Sequence, residues 1–243
     1  MGMFDGGGIV KKQLVLFFVV DTSGSMYGEK IGAVNTAIRE ALNDSEFKTA
    51  GGADAEILIA ILEFNNDCKW HTQVPVPIDS VQWRDLDADG GTSLGEACKE
   101  LSKKLDKNAF LNAPGGSAAP VIILLSDGEP TDDFDHGIAI LKQNKYYKQT
   151  IRLACAIGDD ADADALAEFT GSRESVLRVH SPEALKKWIR VVSLTASKVG
   201  SKSQPTTDGT VTPAQNTAVT AVINATQNDP IFIEDENSDG IWN

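Results

Sequence analysis

Short apolar runs alternate with amphipathic stretches along most of the chain. Four runs are almost continuously apolar, which is typical of parallel strands covered on both faces. These runs span residues 13–20, 56–64, 121–126 and 151–157. Between them, apolar residues recur at the spacing of a helix, as in Ile31, Val34, Ile38 and Leu42. The pattern therefore predicts strands and helices in alternation.

This alternation predicts an α/β fold with a doubly wound, mostly parallel sheet of the Rossmann-like type. Residues 69–76 alternate like an edge hairpin, and Pro75 and Pro77 suit an edge position, so we expect one antiparallel edge strand. Right-handed crossovers place the first strand beside the strand that begins at Val121, where the winding direction reverses. Ligands bind at the carboxyl ends of strands at such a reversal.

The composition divides the chain into three parts. We expect an N-terminal segment over residues 1–12, a domain over residues 13–197 and an acidic tail over residues 198–243, rich in Ser, Thr and Asn and typical of a linker. Bulky apolar residues stand among the carboxylates at the end of this tail: Ile231, Phe232, Ile233, Ile241 and Trp242. Two interpretations are open, docking on the protein's own surface or a short partner-binding peptide.

Charge and hydropathy narrow the choice of partners. The 243 residues include 22 Lys and Arg against 35 Asp and Glu, a net charge of -13, which disfavours nucleic acid and anionic membrane surfaces. No apolar run approaches the ~20 residues that span a bilayer. The N-terminus lacks a basic stretch ahead of an apolar one, so we expect a cytoplasmic protein without a membrane segment.

Polar side chains with oxygen atoms collect where the first and the Val121 strands end. Asp21, Ser23 and Ser25 form a D-x-S-x-S motif, Asp127 follows the Val121 strand, and Thr92 precedes a helix. Because the two strands are expected to be neighbours, these side chains converge on one point. Two carboxylates and three hydroxyls suit Mg²⁺ or Mn²⁺, and they leave positions for water or for a partner's Asp or Glu.

These loops contain no His, Lys or Cys, so a general base or nucleophile is not evident, and binding is favoured over catalysis. The motifs resemble the metal-ion-dependent adhesion site of von Willebrand factor type A domains over about residues 13–197. The resemblance implies that Asp21, Ser23, Ser25, Thr92 and Asp127 surround the metal, with both serines as direct ligands. It implies a protein-interaction module rather than an enzyme.

Within that family, the stretches FVVDTSGSM and DGGTSLGEA are similar to the stand-alone cytoplasmic proteins of bacterial tellurite-resistance and stress operons. That resemblance implies a serine/threonine kinase and a metal-dependent phosphatase as partners. The tail offers a further candidate, since Glu234, Asp235, Glu236 or Asp239 could place a carboxylate on the metal as a built-in competitor.

A calcium loop is the first competing interpretation. Asp85, Asp87, Asp89 and Glu96 fit the D-x-D-x-D-G-x5-E pattern of an EF-hand. Residues 80–84 read as extended where an EF-hand needs a helix, and Thr92 stands where an apolar residue is usual, so Ca²⁺ is disfavoured here.

Two other function classes remain as alternatives. A metal-dependent phosphohydrolase of the haloacid-dehalogenase type also has an Asp after its first strand, but it needs a second Asp at the position of Ser23. The chain could also serve as the von Willebrand A subunit of an AAA-ATPase chelatase or remodelling complex, which neighbouring genes would distinguish.

Overall fold

A sheet of seven strands forms the centre of the protein, in the order β3-β2-β1-β5-β6-β7 with β4 also paired to β2. This computed structural model describes residues 11–203, 213–232 and 242. The strands are β1 Lys12–Asp21, β2 Ala55–Phe64, β3 Cys68–Trp70, β4 Val76–Pro77, β5 Val121–Ser126, β6 Ile151–Ile157 and β7 Val176–Val179. The helices are α1 Glu29–Asn43, α2 Ser45–Lys48, α3 Leu94–Lys104, α4 Phe134–Gln143, α5 Ala163–Thr170, α6 Pro182–Lys202 and α7 Pro213–Thr226.

The predicted neighbours at the centre of the sheet are confirmed. β1 pairs in parallel with β2 on one side and with β5 on the other, so that Val20 lies beside Leu125. The strand order reverses at β1, because β2 and β3 lie on one side of it and β5, β6 and β7 on the other. The doubly wound, mostly parallel sheet is therefore as predicted, and its reversal point lies between the ends of β1 and β5.

The edge beyond β2 is antiparallel, as expected, and it consists of two short strands instead of one. β3 pairs with β2 through Trp70 and Leu62, and β4 pairs with β2 through Val76 and Ile59. Within residues 68–77, both short strands therefore border β2 one after the other. Pro77 lies in the second of them, at the edge, where a residue without a backbone N–H is tolerated.

Helices cover both faces of the sheet, which explains the continuous apolar strands. Phe18 and Val20 of β1 point to the layer of α1 and α6, and Phe17 and Val19 point to the layer of α3 and α4. All four side chains are fully buried. Because alternate residues of one strand fill two separate cores, β1 is held rigidly, and so is the loop that follows it.

The C-terminal helices show that part of the stretch with a linker-like composition packs on the domain. Helix α6 continues past residue 197 to Lys202, and α7 packs against α6 and β6. The Gln215 side chain accepts from the Arg152 N–H at 2.7 Å and donates to the Arg152 carbonyl at 2.9 Å. β7 pairs with β6 only from Ala154 onward. Gln215 therefore supplies the hydrogen bonds that the N–H and carbonyl of Arg152 do not receive from β7. The domain boundaries proposed from composition stay a prediction.

In the described part of the chain, no helix combines the length and apolarity needed to cross a membrane.

Candidate metal site

Asp21, the last residue of β1, is fully buried and uses both carboxylate oxygens. Its Oδ1 accepts a hydrogen bond from the backbone N–H of Ser23 at 2.8 Å, and its Oδ2 accepts one from Ser126 Oγ at 2.5 Å. Ser126 ends β5, so these bonds join the ends of the two central strands. Ser126 is not among the residues that the sequence patterns predicted for this site.

The hydroxyls of the loop after β1 connect to the loop after β5. Ser23 Oγ lies 3.0 Å from Ser25 Oγ, and Ser25 Oγ donates to Asp127 Oδ1 at 2.8 Å. Ser23 and Asp127 are buried, while Ser25 is exposed. The structure therefore brings Asp21, Ser23, Ser25 and Asp127 into one network with an opening to solvent.

Thr92 reaches the same place from the loop before α3. Its backbone N–H donates to Thr131 Oγ1 and its carbonyl accepts from the Thr131 N–H, each at 2.9 Å. A Cβ on Gly128 would lie 3.2 Å from Thr92 Oγ1 and 3.5 Å from Ser25 Oγ. The Thr92 and Ser25 hydroxyls therefore both lie next to Gly128.

Lys30 is the site residue that the sequence interpretation missed. Its ammonium group forms an ion pair with Asp127 Oδ2, and its side chain is mostly buried. The loops themselves contain no lysine, but Lys30 lies in the first turn of α1 and reaches the site from there. Its position four residues before Val34 on the helix does not indicate that the side chain contacts Asp127.

Burial dominates the electrostatics of the site. Burial raises the pKa of Asp21 to about 6, and the nearby Asp127 carboxylate adds to the rise, against the lowering effect of the bonds from Ser126 and Ser23. In the described ranges, no three His, Cys, Asp or Glu side chains cluster as a metal site. Any cation here would rely on two carboxylates and three hydroxyls, the oxygen ligands that hard divalent ions prefer.

The acidic residues of the calcium-loop pattern point elsewhere. Residues 81–89 contain no helix. Asp85 pairs with Arg39, Asp89 Oδ1 accepts from the Gly90 N–H at 2.8 Å, and Glu96 pairs with Lys99 at 2.6 Å. An EF-hand needs a helix before its loop, so the absence of a helix over residues 81–89 argues against a calcium loop.

The four tail carboxylates proposed as competitors, Glu234, Asp235, Glu236 and Asp239, lie outside the described residues, as do Ile233 and Ile241. Ile231, Phe232 and Trp242 are described, and all three pack against the core between the sheet and α6. For these three residues, docking on the protein's own surface is the interpretation that the structure supports.

The fold and the site define a doubly wound α/β domain with an oxygen-lined cluster at its reversal point. The family model of the von Willebrand factor type A domain matches residues 16–190, and the chain belongs to this family.

Known relatives share the domain but are much longer. Inter-alpha-trypsin inhibitor heavy chain H2 of Sus scrofa is 27% identical over 195 residues, which cover 73% of this chain and 20% of that protein. Heavy chain H6 of Homo sapiens is 27% identical over 171 residues, which cover 66% of this chain and 13% of that protein. The chain therefore spans a fifth or less of these relatives.

Solved structures agree on the fold. A von Willebrand factor type A protein from Catenulispora acidiphila matches with a TM-score of 0.57 and 20% identity, covering 77% of this chain and 43% of that one. Proximal thread matrix protein 1 from the mussel byssus, with a zinc-occupied MIDAS motif, matches with a TM-score of 0.55 and 17% identity, covering 78% and 47%.

Proposed function

We propose that Asp21, Ser23, Ser25, Thr92 and Asp127 hold a Mg²⁺ or Mn²⁺ ion, and that the chain is a metal-dependent protein-interaction module. The observation that carries this proposal is the hydrogen-bonded series from Asp21 through Ser23 and Ser25 to Asp127. It shows that proposed metal ligands from loops far apart in sequence already lie close to one another.

The chemistry of the donors fits such an ion. All five side chains offer oxygen. The carboxylates now accept hydrogen bonds from hydroxyl groups, and one of them pairs with the Lys30 ammonium group. A divalent cation would replace these interactions, because hard cations bind carboxylate and hydroxyl oxygens. The zinc-occupied motif in the mussel protein supports a divalent ion at this place in the fold.

The proposed partner offers an Asp or Glu. Five side chains that give one oxygen each do not complete the shell of an ion that takes six oxygens, and the exposed Ser25 marks the side from which another ligand can approach. A partner carboxylate entering there would bind the metal directly. The metal would then act as a bridge between two proteins.

The cellular setting stays a prediction from sequence resemblance. It comprises a cytoplasmic stress or tellurite-resistance assembly with a serine/threonine kinase and a metal-dependent phosphatase. Among the residues that the structure describes, no contact favours the alternatives, a phosphohydrolase or an AAA-ATPase subunit. Ser23 stands where the phosphohydrolase would need its second Asp, and its hydroxyl is bonded to Ser25.

Affinity capture from the source cells tests the interaction. The unchanged chain is compared in Mg²⁺ and in EDTA, alongside Asp21→Ala, Asp127→Ala and the control Asp87→Ala, whose carboxylate is exposed. We expect one partner to be retained in Mg²⁺ by the unchanged and control chains, and to be lost in EDTA and from both site variants. Equal retention in all conditions would contradict a metal bridge.

A further inference from the structure

Two residues that follow α7 contact α6 and α1. Asp229 forms an ion pair with Lys187 of α6. Ile231 lines the groove between α1 and α6, beside Ala37 and Ala41. These contacts hold Asp229 and Ile231 next to the helix that carries Lys30.

Trp242 lies at the metal-site end of that helix. The indole is half-buried and packs against the core, and its Cδ1 lies 3.7 Å from the point that a Cβ on Gly158 would occupy. Lys30 Cε and Nζ lie 3.2 and 3.3 Å from the same point. Trp242 and Lys30 therefore share one surface at the end of β6, which we call the rim and define by Lys30 and Gly158.

The rim borders the candidate metal site directly. Lys30 contacts Asp127 with its ammonium group, and its Cε and Nζ lie near the same point above Gly158 as the Trp242 indole. The indole therefore lies next to the side chain that pairs with Asp127. Gly158 leaves room for this arrangement, because a side chain there would occupy the space between the indole and Lys30.

The packing of the Trp242 indole on the rim is suited to reversible release. Trp242 Nε1 is buried, and within the described residues it has no hydrogen-bond partner. A buried donor without an acceptor opposes docking, while the apolar ring favours it. The two effects partly cancel, so that the docked state is held by packing alone.

We propose that Trp242 docks on the rim in cis and covers the approach to the metal site, and that a binding partner displaces it with an aromatic side chain next to its own acidic residue. The covering of the metal site and the displacement by a partner rest on the proposed function, and the docking of Trp242 on the rim does not. Trp242 thus acts as an intramolecular competitor for the surface that the partner needs.

The docking itself is tested without metal. The full chain is labelled with 5-fluorotryptophan, and Trp242→Phe assigns one of the four fluorine signals. We expect a soluble gadolinium chelate to broaden the Trp242 signal at least threefold less than that of free 5-fluorotryptophan, and Lys30→Gln to shift this signal. Broadening equal to the free amino acid would overturn the proposal, as would shielding that disappears on tenfold dilution, which would identify a second copy as the occupant.

The link to the metal site uses the same labelled chain. Substoichiometric Mn²⁺ should broaden the Trp242 signal, and Asp127→Ala should abolish the effect. If calorimetry shows Mn²⁺ binding but Trp242 stays sharp, the rim assignment is overturned. If Mn²⁺ does not bind, the proposed function fails, while the chelate experiment still decides whether Trp242 docks.

Competition is tested with a labelled peptide that covers residues 228–243. In Mg²⁺, the Trp242→Ala chain should bind this peptide at least fivefold more tightly than the unchanged chain, because the rim is then free. The matched control peptide, in which Ala replaces Trp242, should show no such gain. Absence of any gain with the unchanged peptide would contradict the competitor role.

Discussion

Ser25 Oγ donates a hydrogen bond of 2.8 Å to Asp127 Oδ1, across 102 positions of sequence. This bond exists because β1 and β5 are parallel neighbours whose carboxyl ends meet at one edge of the sheet. The loops after these strands start from fixed, buried residues, so their side chains keep their relative positions. A site at this edge is therefore organised by the sheet before any ligand binds.

The first prediction concerns Lys30. Replacing it with Met removes a positive charge next to Asp127, and a divalent cation no longer has to compete with that charge. We expect Mn²⁺ affinity to rise roughly threefold to tenfold at low ionic strength. Calorimetric titration measures it. Lys30→Arg keeps the charge and is the control; a gain in that variant as well would mean that charge is not the cause.

The second prediction concerns Gly128. A methyl group there would lie 3.2 Å from Thr92 Oγ1, closer than side-chain contacts usually come, so Gly128→Ala should push the Thr92 and Ser25 hydroxyls apart. We expect Mn²⁺ affinity to fall by about threefold to tenfold with every proposed ligand still present. Gly32→Ala, in open space on α1, should leave affinity unchanged. An unaffected Gly128→Ala variant would argue against Thr92 as a participant.

The third prediction concerns pH. In the folded, metal-free protein the pKa of Asp21 is raised to about 6, so the folded state binds this proton more tightly than the unfolded state. The contribution of Asp21 to stability therefore falls as pH rises from about 4 to about 6, by at most roughly 3 kcal/mol.

Urea denaturation in EDTA at several pH values checks this effect. Because other carboxyls respond to pH as well, the quantity of interest is the difference between the unchanged chain and Asp21→Asn. Asp87→Asn, at an exposed position, is the control. A difference that stays constant between pH 4 and pH 6 would show that Asp21 titrates normally.

The fourth prediction concerns α7. Gln215→Ala would leave the N–H and carbonyl of Arg152 without their partner, so we expect the free energy of unfolding to fall by about 1–3 kcal/mol. Asn216→Ala, on the exposed side of the same helix, should change little. If Gln215→Ala and Asn216→Ala are both as stable as the unchanged chain, α7 is not part of the cooperative fold.

Periodicity and crossover rules were enough to predict the sheet order at β1 and β5 and the convergence of Asp21, Ser23, Ser25 and Asp127. They failed for α7, whose buried face mixes small residues such as Ala214 and Ala218 with the polar Gln215, in a Thr- and Asn-rich context. They also failed for Lys30, because which carboxylate a long side chain reaches depends on tertiary packing. The proximity of Trp242 and Gly158 also depends on tertiary packing, and no local sequence pattern predicts it.

The proposed metal site makes five oxygen-bearing side chains the ligands of one divalent cation. Calorimetric titration of the metal-free chain with Mn²⁺, repeated with Mg²⁺, measures this binding. We expect one site in the unchanged chain and in Asp87→Ala, and at least a tenfold loss of affinity in Asp21→Ala and in Asp127→Ala. Absence of binding to the unchanged chain, or equal binding by all four chains, would contradict the proposed metal site.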